Sequence, residues 1–290
     1  MRYCHLAGAA VIVSAMLLTI PPAEAACGVP ADPCALDDGE YFAALPDAPE
    51  DAPWVVWLHG YGGSATADLG REARVGPMLA RGYAVIAPQA LPFQPGEPAE
   101  WSLRDEWDRY PRDWDYPRDD LAFLEAVIDD AATRFGLDRR RGVVAGFSTG
   151  GSMVWDLACL EPDTAAAYAP VAGGFWETMP ETCAGPVRLF HTHGFTDTVV
   201  PLEGREIALE PYGRIRQADI HAGLAVWRET MGCGTDADSH EIAGELWHKA
   251  WTDCAAGSLD FALHPGGHTV PDGWAETMLD WFEGVARSDP

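Results

Sequence analysis

Short apolar runs alternate along the chain with longer stretches in which apolar residues recur every three or four positions. Residues 54–58 (WVVWL) and 83–87 (YAVIA) are continuous apolar runs rich in β-branched and aromatic residues. Both are bounded by Pro or Gly, which predicts strands buried on both faces. Residues 142–146 (GVVAG), 166–171, 187–192 (VRLFHT) and 259–263 read the same way, and 41–45 (YFAAL) reads as an early strand. Leu121, Leu124, Ile128, Ala131 and Phe135 fall at helical spacing and predict an amphipathic helix over 119–136. Further helices are predicted over 66–81 with an interruption at Pro77, and over 149–160, 217–231 and 273–287. This alternation implies an α/β fold: a mostly parallel sheet with helices on both faces. No repeat, low-complexity linker or composition break divides it, so 26–290 reads as one domain.

The first 25 residues read as an export signal rather than structure. Arg2 supplies a positive start, residues 6–20 form a 15-residue apolar stretch, and Ala23-Glu24-Ala25 fits an A-x-A cleavage site. The apolar stretch falls short of the roughly 20 residues a spanning helix needs. The expected location is therefore secreted or periplasmic, with no membrane association after cleavage. The cysteines support this. Cys4 leaves with the signal, and six remain at 27, 34, 159, 183, 233 and 254. An even count in an exported chain reads as disulfides. Six cysteines allow 15 connectivities; near-neighbour pairing, 27–34, 159–183 and 233–254, is the expectation.

Hydrophobic residues make up 48% and charged residues 22% of the 290, ordinary for a globular chain. Acids outnumber bases by 45 to 19, a formal charge of −26. Such a surface repels phosphate backbones and polyanions, which argues against nucleic-acid partners and favours neutral substrates.

Gly146-Phe147-Ser148-Thr149-Gly150 is a G-x-S-x-G between a predicted strand and a predicted helix. That context forces a tight turn in which the serine is pushed above the sheet edge and flanking glycines let backbones approach. A serine hydroxyl needs a histidine to take its proton and a carboxylate to orient that histidine. Asp197 follows the strand 187–192, and His268 follows 259–263 in Pro265-Gly266-Gly267-His268. Asp219 and Asp253 are rivals for the acid and His264 for the base. The glycines before His268 suggest a mobile loop able to swing the ring over the serine. An oxyanion hole needs two backbone donors. Thr149, after the serine, and Tyr61, in the His59-Gly60-Tyr61-Gly62-Gly63-Ser64 turn after WVVWL, are the candidates. His191 and His193 share a strand face, but two histidines without a third ligand rarely bind metal. They read as core or loop-support residues, and neither a metal nor a cofactor is expected.

HGYGGS at 59–64, GFSTGG at 146–151, HGFTDTVVP at 193–201 and PGGHTVPDGW at 265–274 together resemble the polyhydroxybutyrate depolymerase and feruloyl esterase group of secreted α/β-hydrolases. The likeness covers most of the mature chain. It implies an α/β-hydrolase fold, with Ser148 as nucleophile, Asp197 as acid, His268 as base and the 59–63 loop in the oxyanion role. It also implies a Cys233–Cys254 pair. Thr269-Val270-Pro271 departs from the Ser-Trp-Pro usual after that histidine, and the Trp-rich stretch 101–116 is outside the shared pattern. Depolymerases that attack solid granules usually add a substrate-binding domain. None is evident here, which favours soluble oligomers or small esters.

The resulting expectation is a serine carboxylic ester hydrolase acting on hydroxyalkanoate oligomers or small and aromatic esters. A feruloyl or acetylxylan esterase is the alternative. A serine peptidase and a non-catalytic polymer-binding protein are further readings, because fold alone does not select a reaction. Trp107, Phe175 and Trp176 are the candidates for an aromatic wall around a sugar or phenolic group, set against simple hydrophobic anchoring of loops.

Overall fold

The computed structural model describes residues 27–102, 118–209 and 213–286; the expected leader 1–25 and Trp107 lie outside them. The chain opens with β1 (Cys34–Leu36), β2 (Gly39–Ala44) and β3 (Trp54–Leu58), then α1 (Ala65–Leu69) and α2 (Glu72–Ala80). β4 (Ala84–Pro88) and the short β5 (Leu91–Pro92) and β6 (Ala99–Glu100) precede α3 (Asp120–Phe135). β7 (Gly142–Phe147), α4 (Thr149–Leu160), β8 (Ala167–Val171) and β9 (Arg188–Gly194) form the centre. A hairpin of β10 (Arg205–Leu209) and β11 (Gly213–Gln217) leads to α5 (Ile220–Met231). β12 (Ser239–Ala243), β13 (Leu246–Trp251), β14 (Ser258–His264) and α6 (Trp274–Ala286) complete the order.

The main sheet runs β1-β2-β4-β3-β7-β8-β9-β14-β13-β12. The six strands from β4 to β14 are mutually parallel. β1–β2 and β12–β13 add antiparallel flanks. The parallel strands are apolar along their whole length because both faces are covered. Trp54, Val56, Leu58, Ile86, Val144 and Leu189 pack under α3, α4 and α5. Val55, Trp57, Val85, Val143 and Phe190 pack under α1, α2 and α6.

Helix ends follow local chemistry. Asp119 accepts from the Leu121 and Ala122 N–H groups to start α3, and Gly136 ends it in a left-handed turn. The expected interruption at Pro77 does not occur, since Pro77 lies inside α2. The break falls at Gly70 and Arg71 instead. Asp68 at the end of α1 holds Arg71 Nε at 3.0 Å, Arg74 Nη2 at 2.7 Å and Trp57 Nε1 at 3.0 Å. That carboxylate ties both helices to β3. The hairpins β10–β11 and β12–β13 are unpredicted. Their strands (REIAL, GRIRQ, SHEIA) mix charged and apolar residues because one side faces water.

The three cysteine pairs are the near-neighbour ones, Cys27–Cys34, Cys159–Cys183 and Cys233–Cys254. Among the described residues no helix is long and apolar enough to cross a membrane.

Both borders of the 103–117 stretch meet at one buried carboxylate. Asp120 Oδ2 accepts from the Ser102 N–H at 2.7 Å, and Oδ1 accepts from Arg118 Nε at 2.6 Å. Arg118 also donates to the Asp38 and Gln89 carbonyls and lies over the Phe123 ring. Removing one partner of such a pair leaves an uncompensated buried charge. Asp120→Ala is therefore expected to cost about 3–5 kcal/mol of stability, read by urea denaturation. A loss below about 1 kcal/mol, the range of an exposed pair, would show that the clamp is not structural.

Candidate active site

The parallel strands end at one edge of the sheet, and four of them carry the candidate residues there. Ser148 follows β7 directly, with φ 59° and ψ −121°, a conformation few non-glycine residues adopt. Its N–H is held by the Val171 carbonyl at 2.9 Å, and its carbonyl accepts from Ser152 N–H at 2.9 Å. The glycines of the motif are needed for contact. A Cβ on Gly150 would collide with the Leu58 carbonyl oxygen, and one on Gly146 with the Gly150 carbonyl. The turn thus lets α4 start directly above β3, and its N-terminus points positive potential at the serine.

His268 Nε2 lies 2.9 Å from Ser148 Oγ, and His268 Nδ1 lies 2.7 Å from Asp197 Oδ2. The histidine ring leans on Phe147, centroid to centroid 4.7 Å. Asp197 Oδ1 accepts from the Val199 and Val200 N–H groups at 2.8 Å each. Burial pushes the Asp197 carboxyl up. The His268 bond and the two N–H donors outweigh this and hold it below the usual carboxylate value.

The two loops bearing Asp197 and His268 are sewn together. Phe195 N–H donates to the His264 carbonyl at 2.8 Å and Thr196 N–H to the Gly266 carbonyl at 3.1 Å. A Cβ on Gly194 would strike the Gly267 carbonyl. The glycines before His268 therefore serve close loop-to-loop packing, not the free swing expected from sequence. The rivals have other duties. Asp219 caps α5 by accepting from Ala222 N–H at 2.9 Å, and His264 Nδ1 accepts from Gly266 N–H at 3.2 Å.

The 59–64 turn reaches the same place. Gly60 sits against Ser148, where an added Cβ would come within 3.1 Å of the serine Cβ. Among the described residues the Tyr61 and Thr149 N–H groups donate to no backbone carbonyl. His59, buried beneath the turn, was not assigned a role by the sequence. Its Nε2 accepts from Ala90 N–H at 3.1 Å, so its Nδ1–H donates to the Gly60 carbonyl at 2.8 Å. Burial depresses its pKa and keeps it neutral, a positioning strut for the turn.

His191 and His193 belong to a buried one-way hydrogen-bond chain. Trp155 Nε1–H donates to His191 Nδ1 at 3.2 Å, which leaves His191 Nε2–H to donate to His193 Nδ1 at 3.1 Å. His193 Nε2–H then donates to the Val200 carbonyl at 2.8 Å. Each ring nitrogen is occupied by a protein partner, and burial lowers both pKa values. The chain ends on the residue whose N–H holds Asp197, so it braces the acid loop. An HxH on the strand before the acid was the only available signal in sequence.

The aromatic wall is corrected where it can be seen. Phe175 is core: its ring meets Trp155 edge-on at 4.7 Å and stacks on Trp227 at 6.0 Å. Trp176 is buried beside β11, bridged to Gln217, and offers no open face. Trp107 lies outside the described residues. A cavity of about 990 Å³ opens between α2 and the start of α6, with His268 and Phe147 at its border and Arg71, Glu72, Asp272 and Glu276 in its wall; Ser148 does not line it.

No family model matches the chain. The Nocardia uniformis subsp. tsuyamanensis protein named "Putative esterase NocK" is 31% identical over 243 residues, covering 79% of this chain and 68% of that protein. "Feruloyl esterase C" of Emericella nidulans is 30% identical over 89 residues, 30% of this chain and about a third (32%) of that relative. Among solved structures, an acetyl xylan esterase from Aspergillus awamori superimposes with TM-score 0.63 at 16% identity, over 87% of this chain and 98% of that one. Esterase PE8 gives 0.53 at 20% identity, over 84% and 97%. At such identities the structural likeness speaks for a common α/β-hydrolase fold.

The lowered Asp197 pKa has a defined consequence for stability. A carboxyl whose folded value lies below its unfolded value of about 3.9 stabilises the fold at neutral pH. That contribution is lost as pH falls through the folded value. Denaturant melts from neutral pH into the acid range should show this acid-side decline in the native chain and a flatter one in Asp197→Asn. Parallel declines would contradict the depressed value.

Proposed function

The chain belongs to the esterase-like family of α/β-hydrolases and is a carboxylic ester hydrolase, and from this premise we propose that Ser148, His268 and Asp197 form its catalytic triad. The observation that carries the proposal is the unbroken line from Ser148 Oγ through both nitrogens of His268 to Asp197. His268 Nε2 takes the serine proton as Oγ attacks the ester carbonyl carbon. Asp197, held ionised by its donors, fixes the Nδ1–H tautomer and stabilises the imidazolium. The N–H groups of Tyr61 and Thr149 receive the oxyanion, aided by the N-terminus of α4. His268 then returns the proton to the departing alcohol, and water releases the acyl group by the same steps in reverse.

For substrate we propose esters carried on plant polysaccharides, with aromatic acyl groups such as feruloyl preferred to hydroxyalkanoate oligomers. The relative named feruloyl esterase C supports this choice. So does the net charge of −26, which disfavours anionic substrates. Export to an oxidising compartment is part of the same proposal, supported by the apolar leader and the three disulfides.

Ser148→Ala is expected to remove turnover of an aryl acetate by about a million-fold. Retention of more than about a tenth of native turnover would overturn the triad, since the loss expected of a nucleophile is orders of magnitude larger. On a panel of esters, kcat/KM for methyl ferulate should exceed that for a hydroxybutyrate dimer by about tenfold or more, the discrimination a shaped pocket affords. The reverse order would overturn the substrate assignment and leave the triad standing.

A further inference from the structure

The antiparallel hairpin β12–β13 extends the sheet beyond the cover of its helix. Cross-strand register puts Ile242 opposite Trp247 and His240 opposite Lys249. On the next strand Trp247 faces Leu263, Lys249 faces Phe261 and Trp251 faces Leu259. All of these share the side of the sheet that α5 occupies. α5 reaches only the inner part: His221 meets Phe261 edge-on at 5.6 Å, and Arg228 lies over Trp251 at 5.4 Å. Ile242 and Trp247 remain 77% and 42% exposed. Between helix and hairpin runs an open groove of about 790 Å³.

We propose that this groove binds an uncharged polysaccharide chain, holding the body of the substrate whose ester reaches Ser148; the proposal rests on the reading of this protein as an esterase of polysaccharide-borne esters. Four features support that occupant over others. The first is chemistry. An exposed Trp face beside His240 and other hydrogen-bonding side chains suits the apolar faces and hydroxyl edges of sugars. The second is charge. Arg228 and Lys249 balance Asp236 and Glu241 in the groove wall, on a molecule of net −26. A locally neutral polar groove in so acidic a surface fits a neutral ligand rather than an ionic one.

The third feature is continuity with the active edge. Trp247 packs edge-on against Phe195 at 5.9 Å. Phe195 is 57% exposed and belongs to the acid loop, two residues before Asp197. Exposed aromatic surface therefore continues from the groove onto the loop that carries Asp197. β13 lies four positions from β7 in the sheet order, about 20 Å at the usual strand spacing. Only a substrate with an extended body spans that distance, which small esters do not. The fourth is rigidity. The Cys233–Cys254 disulfide ties the end of α5 to the chain after β13. The Asp238 carboxylate accepts from the Thr252 and Asp253 N–H groups at 2.7 and 2.8 Å. A preformed groove loses little entropy on binding.

The test uses the full mature protein, with Trp247→Ala, Trp247→Tyr and His240→Ala, all at exposed positions. Affinity electrophoresis through gels containing soluble neutral arabinoxylan reads binding. Kinetics on feruloylated arabinoxylan and on an aryl acetate read the two parts of the substrate separately. The native protein should be retarded by arabinoxylan, Trp247→Ala should lose most of that retardation, and Trp247→Tyr should keep it. For the polymer, Trp247→Ala should raise KM about tenfold, equivalent to one stacked aromatic contact, with kcat unchanged. His240→Ala should weaken retardation less. Aryl acetate kinetics should be unaltered in all three. Native migration unaffected by arabinoxylan, or equal retardation of Trp247→Ala, would overturn the proposal. So would Trp247-dependent adsorption to polyester particles alone, or a Trp247-dependent dimer in sedimentation. Loss of all ester turnover in the native protein would instead defeat the enzymatic reading, and the gel would still report on the groove.

Discussion

The turn at Ser148 depends on backbone touching backbone. β7 must stop, reverse and hand over to α4 within one residue, and the helix must begin directly over the carbonyls that end β3. Only residues without Cβ tolerate that contact, which is why Gly146 and Gly150 stand on either side. The strained Ser148 conformation, of order 1–3 kcal/mol in such turns, is held by its N–H donating to the Val171 carbonyl and its carbonyl accepting from the Ser152 N–H. Everything around the site is arranged relative to this point. The 59–64 turn abuts the serine through Gly60, and the positive end of α4 points at it.

A fixed serine is useful only if the base arrives at a fixed place. That placement is a matter of loops, and here the loops have little independence. The loops bearing Asp197 and His268 share backbone hydrogen bonds from Phe195 to His264 and from Thr196 to Gly266. Beneath them, Trp155, His191 and His193 pass a hydrogen bond in one direction to the Val200 carbonyl. All three side chains are buried, and a chain of donors and acceptors without an orphan is the stable way to bury imidazoles. His59 does the same service under the oxyanion turn. Buried histidines therefore brace the loops on both sides of His268.

The sheet's two flanks play different parts. The six parallel strands form the frame on which the candidate residues sit. In β12 and β13 polar and apolar residues alternate because one face packs on the α6 side of the sheet while the other looks out beside α5. On the opposite side of the site, Asp120 gathers Ser102 and Arg118 into one buried ion pair. The Cys233–Cys254 disulfide and the Asp120–Arg118 pair fasten the ends of these segments.

The apolar runs of the parallel strands, the α3 period and the four glycine-bearing motifs were legible in the chain alone, because each is set by local chemistry. A strand buried on both faces must be continuously apolar, and a serine turn must carry glycines at fixed offsets. The order of Ser148, Asp197 and His268 was legible for the same reason, each lying just past such a strand. The hairpins at β10–β11 and β12–β13 were not, since half-exposed strands carry mixed residues that resemble loops. Pro77 does not interrupt α2, and the partners of Asp68 on β3 and α2 meet only in the fold. Phe175 and Trp176 could be read as wall or core, and packing against Trp155, Trp227 and β11 made them core. Local composition determines which segments form strands, helices and tight turns. Which faces remain open, which carboxylate meets which cation and which histidines stay neutral depend on distances between residues far apart in sequence, and those exist only once the sheet has closed its layers.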